Sequence, residues 1–210
     1  FVFAISGMGI YGMVLAGLSS NNKYSLMGGL RSSAQMISYE LTLGLSALSV
    51  IVLTGSLSLI DMVQAQESYP FILVQPLAFL LFFIAGIAET NRAPFDLPEA
   101  EQELVAGFHT EYTGMKFAMF FMGEYINMVT MSALVTLLFL GGWNAYGLPI
   151  WPILAFAGKV VFLLCVFIWL RSTFPRIRYD RLMTFGWKVL LPLCLLNLMV
   201  TGAIKVIWLP

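Results

Sequence analysis

The sequence predicts an all-α protein, a polytopic bundle of transmembrane helices, from its composition and its apolar segments. Of its 210 residues, 60% are hydrophobic and 10% are charged, whereas an ordinary soluble domain is about 45–50% apolar and about 25% charged. The mean hydropathy is +0.88. Six segments are long and apolar enough to cross a bilayer. These features exclude a disordered chain, a nucleic-acid-binding surface and a conventional soluble enzyme.

Proline residues mark several ends of the six predicted spans. Pro149 and Pro152 open the fifth span, where the missing N–H of proline costs little. Pro76 and Pro192 fall inside the third and sixth spans, so each is expected to kink its helix or to lie near the first turn. In chain order the spans, named A to F, are residues 1–18, 34–60, 71–88, 115–140, 151–170 and 188–209.

The basic residues are concentrated in alternate connections. The A–B, C–D and E–F connections hold nearly all Lys and Arg, whereas the B–C connection holds Asp61 and Glu67 and no base. By the positive-inside rule, these basic connections face the cytoplasm or the mitochondrial matrix, and both ends of the chain lie on the opposite face. Lys205 is an exception that lies close enough to the outer end of span F to snorkel.

The C–D connection, residues 89–114, is unusual because it lies on the basic side and is strongly acidic. Asp96 can cap a short amphipathic helix, with Glu99 completing a capping box. That helix carries carboxylates on both faces, as a helix lining a polar cavity would; a solvated amphipathic helix is the alternative. Six of the eleven acids lie here, with one base, Arg92: they are Glu89, Asp96, Glu99, Glu101, Glu103 and Glu111.

Two further acids are predicted to lie inside the membrane. Glu40 lies about 9 Å from the inner end of span B, and Glu124 lies about 14 Å from the inner end of span D. An ionisable side chain at such depth costs at least about 2.5 kcal/mol and usually faces the bundle interior or a hydrated cavity. With Glu89 they indicate a proton or ion path from the inner surface; isolated carboxyls held by Tyr, Asn or backbone groups are the alternative. Asn127 is predicted to share the face of Glu124.

Other chemistry-bearing residues give weaker signals. Lys159, in span E, either snorkels to the outer surface or continues the polar route. His109 is the only histidine, and without a second ligand at suitable spacing it makes a poor metal site. Cys165 and Cys194 lie in apolar runs and are interpreted as buried thiols. The sequence therefore indicates no metal site, no catalytic nucleophile and no redox cofactor of its own.

Five motifs give the chain a family resemblance. They are LRSSAQMISYE (30–40), AETNRAPFDLPEAEQELVAGFHTEY (88–112), FFMGEYINM (120–128), LGGWN (140–144) and FPRIRYDRLM (174–183). They closely resemble the membrane subunit that forms the quinone chamber of respiratory complex I, the H-type subunit of bacterial NADH:quinone oxidoreductase and mitochondrial subunit 1. The resemblance implies that residues 1–210 form one transmembrane domain of a longer chain, holding the last six of eight helices. Arg181 departs from the family, which commonly has Gln there.

The resemblance implies a function in coupling quinone reduction to proton translocation. Quinone would be the substrate, whereas NADH, flavin and iron–sulfur clusters would be bound by partner subunits. The expected partners are the peripheral quinone-reducing subunits, the other membrane-arm subunits and the lipid of a bacterial cell membrane or a mitochondrial inner membrane. The implied proton path comprises Glu40, Glu89, Glu99, Glu101, Glu103, Glu111 and Glu124, and the implied quinone chamber comprises Arg31, Arg92, Phe95 and Asp96.

Three other functions are compatible with parts of the pattern. A freestanding proton-coupled transporter would also need intramembrane acids, although no inverted repeat relates spans A–C to spans D–F. A related membrane subunit of an energy-converting hydrogenase shares part of the motif set. A passive anchor for a peripheral arm would need none of the acids for catalysis.

Overall fold

The structure, a computed structural model, describes residues 1–92, 94–95, 107–146 and 151–208. Within these ranges it contains α-helices, single 3-10 and π turns, and no β-strand, which confirms the predicted all-α class. The helices are α1 Val2–Gly7, α2 Gly9–Ser19, α3 Lys23–Thr54, α4 Leu59–Gln64, α5 Phe71–Val74, α6 Pro76–Glu89, α7 Met115–Phe139, α8 Pro152–Thr173, α9 Tyr179–Phe185 and α10 Leu191–Trp208.

In the described ranges, five helical segments are long and apolar enough to cross a membrane. They are Val2–Ser19, Lys23–Thr54, Met115–Phe139, Pro152–Thr173 and Tyr179–Ile207. They confirm a polytopic membrane bundle and correspond to predicted spans A, B, D, E and F.

Span C, the predicted sixth span, is shorter and interrupted. Its apolar helix α6 has 14 residues, and the four-residue α5 precedes it. The two helices meet at Gln75, whose backbone is not helical (φ −130°, ψ 63°), and Pro76 is the first residue of α6. Because proline has no N–H to continue the ladder of α5, the chain bends where the sequence predicts a kink. The number of complete spans in the described ranges is therefore five by helix length, and a sixth stays a prediction.

Helix α3 begins much earlier than the predicted start of span B at residue 34. It starts at Lys23, where the Asn22 side chain caps the helix by accepting a hydrogen bond from the N–H of Tyr24 at 3.0 Å. It ends at Thr54, followed by Gly55 in the left-handed conformation with φ +74°. The Gly and Ser residues of the first turns lower the local hydropathy, but most of them are buried against neighbouring helices.

Glycine residues let α2 and α3 approach each other closely. A Cβ added at Gly17 would lie 2.9 Å from the carbonyl oxygen of Ser25, and one added at Gly29 would lie 3.0 Å from that of Met13. Gly28 similarly faces the backbone of Gly107 at 2.9 Å. Small residues at such crossings are typical of membrane helices, since close backbone packing replaces the hydrophobic effect there.

Helix α3 is the centre of the bundle. It packs against α2, α6 and α10. Tyr39, Leu43, Ala47 and Val50 form one helical stripe, and each is at most 2% exposed. The 3-10 turn Gly107–His109 also contacts α3, which places the end of the C–D connection beside the bundle core.

A π-helical turn, Gly186–Leu190, joins α9 to α10. The N–H of Leu191 bonds to the carbonyl of Gly186, five residues back, and Pro192 follows directly. A proline in this position has no N–H to offer the preceding turn, so a wider turn is tolerated. Pro192 thus lies in the first turn of α10, which is one of the two positions that the sequence predicts for it.

Candidate functional site: an acidic cavity

A cavity of about 280 Å³ brings together two of the predicted acids. Glu89, the last residue of α6, and Glu124, in the first half of α7, both line it. Asn127 also lines it, which confirms that it shares the face of Glu124. The other lining residues come mainly from α1, α2, α3 and α7: Ser6, Gly9, Gly12, Met13, Met36, Thr90, Asn91, Phe108, Met119, Phe120 and Gly123.

Glu89 is buried without a basic partner among the described residues. Its side chain is 4% exposed, and Oε2 has no hydrogen-bond partner within the same ranges. The hydroxyl of Ser6 lies within hydrogen-bonding reach of the carboxyl, and the carboxyl of Glu40 interacts with it electrostatically. Burying a carboxylate without a base is costly, so a site of this kind favours the neutral, protonated carboxyl.

Glu40 lines a second cavity of about 470 Å³, which is formed by residues of α1, α2 and α3. Its carboxyl packs against Gly7 so closely that a Cβ there would contact Oε1. Gly7 is the last residue of α1, and Ser6, which reaches Glu89, precedes it. The carboxyls of Glu40 and Glu89 are therefore next to the same turn of α1.

Glu124, in contrast, has a strong base beside it. Nη2 of Arg92 lies 3.1 Å from Oε2 of Glu124, and the two side chains are 6% and 10% exposed. The guanidinium also stacks over Tyr125, 4.7 Å from the ring centroid, and over Phe121 at 5.6 Å. Arg92 thus connects the C–D connection to α7 through charge and through aromatic contacts.

A buried amide fixes the start of the C–D connection. Nε2 of Gln35 donates to the carbonyl oxygens of Ala88 at 2.8 Å and Phe95 at 2.9 Å. Gln35 is fully buried and lies in α3. One side chain thereby holds both ends of the segment that carries Glu89 and Arg92.

The predicted chamber residue Phe95 is also fixed by its surroundings. It is 6% exposed, and its ring lies 6.0 Å from that of Tyr39. The Tyr39 hydroxyl donates to the carbonyl of Leu182 at 3.0 Å, and the N–H of Ile177 donates to the carbonyl of Pro94 at 3.0 Å. The C–D and E–F connections are therefore joined on this face of the bundle.

Two methionine thioethers accept hydrogen bonds at the cavity wall. Nδ2 of Asn91 lies 3.7 Å from the sulfurs of both Met13 and Met36, and the hydroxyl of Ser32 lies 2.9 Å from that of Met13. Asn91 is 4% exposed and adopts a left-handed conformation with φ +52°. The backbone turn between Glu89 and Arg92 therefore depends on contacts with soft, weak acceptors.

Three glycines leave the cavity open. A Cβ added at Gly9, Gly12 or Gly123 meets no described atom within 4 Å, unlike those at the crossing of α2 and α3. Packing does not require glycine at these positions. Their effect is to leave free space beside the two carboxyls.

The remaining predicted residues lie in separate places. Glu111 is exposed and accepts a hydrogen bond from Nδ2 of Asn22 at 2.8 Å, which joins the C–D connection to the A–B turn. The guanidinium of Arg31 lies over the ring of Tyr179, 5.7 Å from its centroid. Four of the predicted residues, Asp96, Glu99, Glu101 and Glu103, lie outside the described residues, as does the predicted short acidic helix.

His109 lies in an aromatic environment. Its ring is 4.9 Å from Phe108, 5.3 Å from Phe117 and 6.2 Å from Phe121. Among the residues described, no three His, Cys, Asp or Glu side chains are grouped so that they could hold a metal ion.

Lys159 binds the backbone of the D–E connection. Its Nζ donates to the carbonyl oxygens of Leu140 at 2.7 Å, Gly142 at 3.0 Å and Asn144 at 2.7 Å. It also lies 5.1 Å from the ring centroid of Tyr146. Burial raises the pKa of the Tyr146 hydroxyl above its ordinary value, so this ring stays neutral at physiological pH. Nζ therefore reaches the D–E connection, in the direction that the snorkelling alternative predicts, and bonds to backbone carbonyls there. A place for Lys159 on the polar route stays a prediction.

Sequence reasoning missed the residues that support the acids. Gln35, Asn91 and Ser6 carry no charge, so a search for ionisable groups at membrane depth passes over them. Gln35 was detectable in principle, because an amide four residues before Tyr39 shares its helical face in an otherwise apolar and small-residue stretch. Ser6 and Asn91 gave no comparable signal.

Comparison with known proteins gives a consistent family. Residues 1–202 match the family described as NADH dehydrogenase. Across 208 residues the chain is 57% identical to an H-type subunit of NADH-quinone oxidoreductase from Syntrophobacter fumaroxidans, covering 99% of this chain and 62% of that protein. It is 60% identical to an H-type subunit from Geobacter metallireducens (97% and 59% covered) and 54% identical to the one from Geobacillus thermodenitrificans (98% and 62% covered). The chain thus spans about three-fifths of the length of these relatives.

Proposed function

This chain belongs to the NADH dehydrogenase family, and from that premise we propose that it is a membrane subunit of a proton-translocating NADH:quinone oxidoreductase. Its part is to border the quinone chamber on the inner side of the membrane and to couple quinone reduction to proton movement. The oxidoreductase is proposed to lie in a bacterial cell membrane or a mitochondrial inner membrane, with the acidic and basic connections on the cytoplasmic or matrix side.

One observation carries the proposal: Glu89 and Glu124 line the same cavity in opposite electrostatic settings. Glu124 is paired with Arg92, which favours the carboxylate, whereas Glu89 has no base beside it in the described ranges and has Glu40 as an acidic neighbour. Two titratable groups whose surroundings favour different protonation states form a donor and an acceptor. A proton can then be held at Glu89 while a charge is held at Glu124.

Arg92 is the residue that can transmit events in the chamber to the cavity. It lies in the C–D connection, next to the proposed chamber residue Phe95, and its guanidinium reaches Glu124. Quinone reduction adds negative charge or removes protons near that connection. Any attraction of Arg92 towards the new charge weakens its hold on Glu124, which then competes for the proton of Glu89.

The acids of the C–D connection would supply the first part of this route. Glu101, Glu103 and Glu111 are proposed to exchange protons with the chamber, with Glu99 beside them, and Arg31, Arg92, Phe95 and Asp96 to border the quinone. The membrane arm beyond Glu40 would be provided by partner subunits, which would also provide NADH, flavin and iron–sulfur chemistry. The relatives named above are all oxidoreductase subunits, so a freestanding transporter is not proposed.

The experiment compares Glu89→Gln, Glu124→Gln and Glu40→Gln in the assembled oxidoreductase. Each variant is expected to lower NADH:quinone reductase activity and proton uptake into membrane vesicles by about tenfold or more, because a proton-transferring group is lost. NADH oxidation by an artificial acceptor that bypasses quinone is expected to stay unchanged.

Glu67→Gln is the matched control, since Glu67 is an exposed acid of the outer B–C connection. It should leave both activities at the wild-type level. Wild-type proton uptake in all three cavity variants would refute the acidic route. Loss of artificial-acceptor activity would instead indicate failed assembly.

A further inference from the structure

A second, entirely apolar groove lies on another side of α6. It has a volume of about 440 Å³, within the range of about 300–1,000 Å³ typical of small-molecule sites. Leu80, Phe83, Ile84 and Ile87 form its α6 wall, and at 100° per residue this stripe lies roughly opposite Glu89. The groove is therefore separate from the acidic cavity. Leu80 is 51% exposed, so the groove is open to the surroundings of the bundle.

The end of α8 and the E–F connection close the groove at one end with alternating apolar and basic residues. Leu170 and Ile177 line the groove, together with Phe95 of the C–D connection. Arg171 directly follows Leu170, and Arg176 and Arg178 flank Ile177; all three arginines are exposed. Asp180 is the one acid between residues 170 and 188, and it pairs with Arg178 at 3.2 Å. The rim therefore keeps a net positive charge.

Exposed tryptophans place this rim at the membrane surface. Trp169 is 71% exposed at the end of α8, and Trp187 is 50% exposed in the π-helical turn. Tryptophan is enriched at the level of lipid headgroups, where its ring contacts the apolar interior and its N–H contacts polar groups. The apolar groove then extends into the acyl-chain region, and the arginines lie at headgroup height.

We propose that this groove binds one acyl chain of an anionic phospholipid whose phosphate is held by Arg171, Arg176 and Arg178. The apolar lining accounts for the chain, and the net positive rim accounts for the charge of the headgroup. Basic clusters beside membrane helices on the inner face bind anionic headgroups in this way. Phe95, proposed above to border the quinone, also lines this groove, so a quinone tail is the competing occupant. A quinone tail carries no charged headgroup to meet the arginine rim, and neither it nor a partner helix would depend on those arginines.

The test uses two photoactivatable lipids that differ only in the headgroup. Phosphatidylglycerol and phosphatidylcholine carrying the same diazirine acyl chain are added to the intact oxidoreductase in nanodiscs and irradiated, and labelled peptides are identified by mass spectrometry. The anionic probe is expected to label residues 80–87 and 170–177 several times more strongly than the zwitterionic probe. Arg171→Gln and Arg176→Gln are each expected to reduce anionic labelling about fivefold. Lys23→Gln, which removes an exposed base from another inner connection, should not.

Three results would overturn the proposal. Equal labelling by both probes would mean that the arginines do not select the lipid headgroup and only orient the protein in the membrane. Absence of labelling in the intact assembly would mean that a partner subunit covers the groove. Unchanged labelling in Ile84→Trp, which fills the groove, would place the bound chain elsewhere. If the arginine variants do not assemble, competition by unlabelled lipids on the wild-type assembly decides the same question, with phosphatidylglycerol displacing the probe at lower concentration than phosphatidylcholine.

Discussion

Arg92 and Glu124 form an ion pair across two separate elements, with Nη2 and Oε2 3.1 Å apart and neither side chain more than 10% exposed. A pair this deeply buried is costly to break, because the surviving partner keeps a charge without compensation. It also joins the segment that would border the quinone to the helix that carries an intramembrane acid. Structure and function can be separated at this pair by experiment.

Replacing one partner should destabilise the protein, and replacing both should not. Arg92→Met or Glu124→Met alone is expected to cost about 3–5 kcal/mol of stability, whereas the double variant should recover most of it, because an apolar pair of similar volume is tolerated. Thermal unfolding of the detergent-solubilised assembly measures this. Quinone-linked proton uptake should be lost in the single variants and also in the double variant. Its recovery would show that the pair is only structural.

The exposed pair of Arg178 and Asp180 is the control for that experiment. Its side chains are 76% and 72% exposed, with Nε and Oδ2 3.2 Å apart. Exposed pairs contribute about 0–1 kcal/mol, so Asp180→Asn should leave the unfolding temperature nearly unchanged. A large loss there would mean that the unfolding assay reports general disturbance of the assembly.

Filling the open space at Gly123 should block the cavity without disturbing the fold. An added Cβ at Gly123 meets no described atom within 4 Å, and the same holds for Gly202 in α10, which does not line the cavity. Gly123→Leu is expected to lower quinone-linked proton uptake several-fold, and Gly202→Leu to leave it unchanged. Both should keep wild-type thermal stability, since leucine is a better helix former than glycine. Equal activity in the two variants would argue against a role for the cavity.

Removing the amide of Gln35 should loosen the C–D connection. Gln35→Leu leaves the carbonyl of Phe95 without this donor and that of Ala88 with only the N–H of Asn91, at 3.4 Å, and an unsatisfied buried group costs about 1–3 kcal/mol. Because the segment between them bears Arg92, the KM for quinone is expected to rise while artificial-acceptor activity stays normal. Gln64→Leu, at an exposed position of α4, is the control. An unchanged KM would show that other contacts position the segment.

The three carbonyls around Lys159 predict a structural role, which would lower stability without changing the number of protons moved per electron. Lys159→Met is expected to lower stability by about 2–4 kcal/mol, because three hydrogen bonds from a charged donor are lost. The number of protons moved per electron in the assembly that survives should equal that of the wild type. A stable variant with a lower proton ratio would instead place Lys159 on the polar route. Lys116→Met, at an exposed base, gives the baseline.

Sequence patterns predicted the fold wherever hydropathy and helix length coincide. Span D, predicted as residues 115–140, is the helix Met115–Phe139, and span E begins at Pro152 as proline chemistry requires. The start of span B was predicted less accurately. Its first Gly and Ser residues lower the hydropathy, and only the close crossing with α2 shows that they are buried. Tertiary packing decided that boundary.

The site was predicted in part for a similar reason. Depth along a helix follows from residue counting only where the start of the helix is known. Glu124 lies nine residues after the first residue of α7, as predicted, whereas the predicted depth of Glu40 was wrong: α3 starts at Lys23, so Glu40 lies 17 residues, about 25 Å, along it and not about 9 Å. Which acid has a base does not follow from counting, because a long connection separates Arg92 from Glu124 along the chain. The difference between Glu89 and Glu124, on which the proposed mechanism depends, is visible only in three dimensions.

At the ends of two helices, a backbone carbonyl accepts a hydrogen bond from a lysine that comes later in the chain. Nζ of Lys205 donates to the carbonyl of Leu53 at 3.0 Å, near the end of α3, across 152 positions of sequence, and Lys159 does the same for Leu140 at the end of α7. During synthesis, neither carbonyl can form this hydrogen bond until the later helix has been made. For α3, that later helix is α10. The central helix α3 is therefore synthesised well before α10, and its carbonyl at Leu53 gains this hydrogen bond only when α10 packs against it.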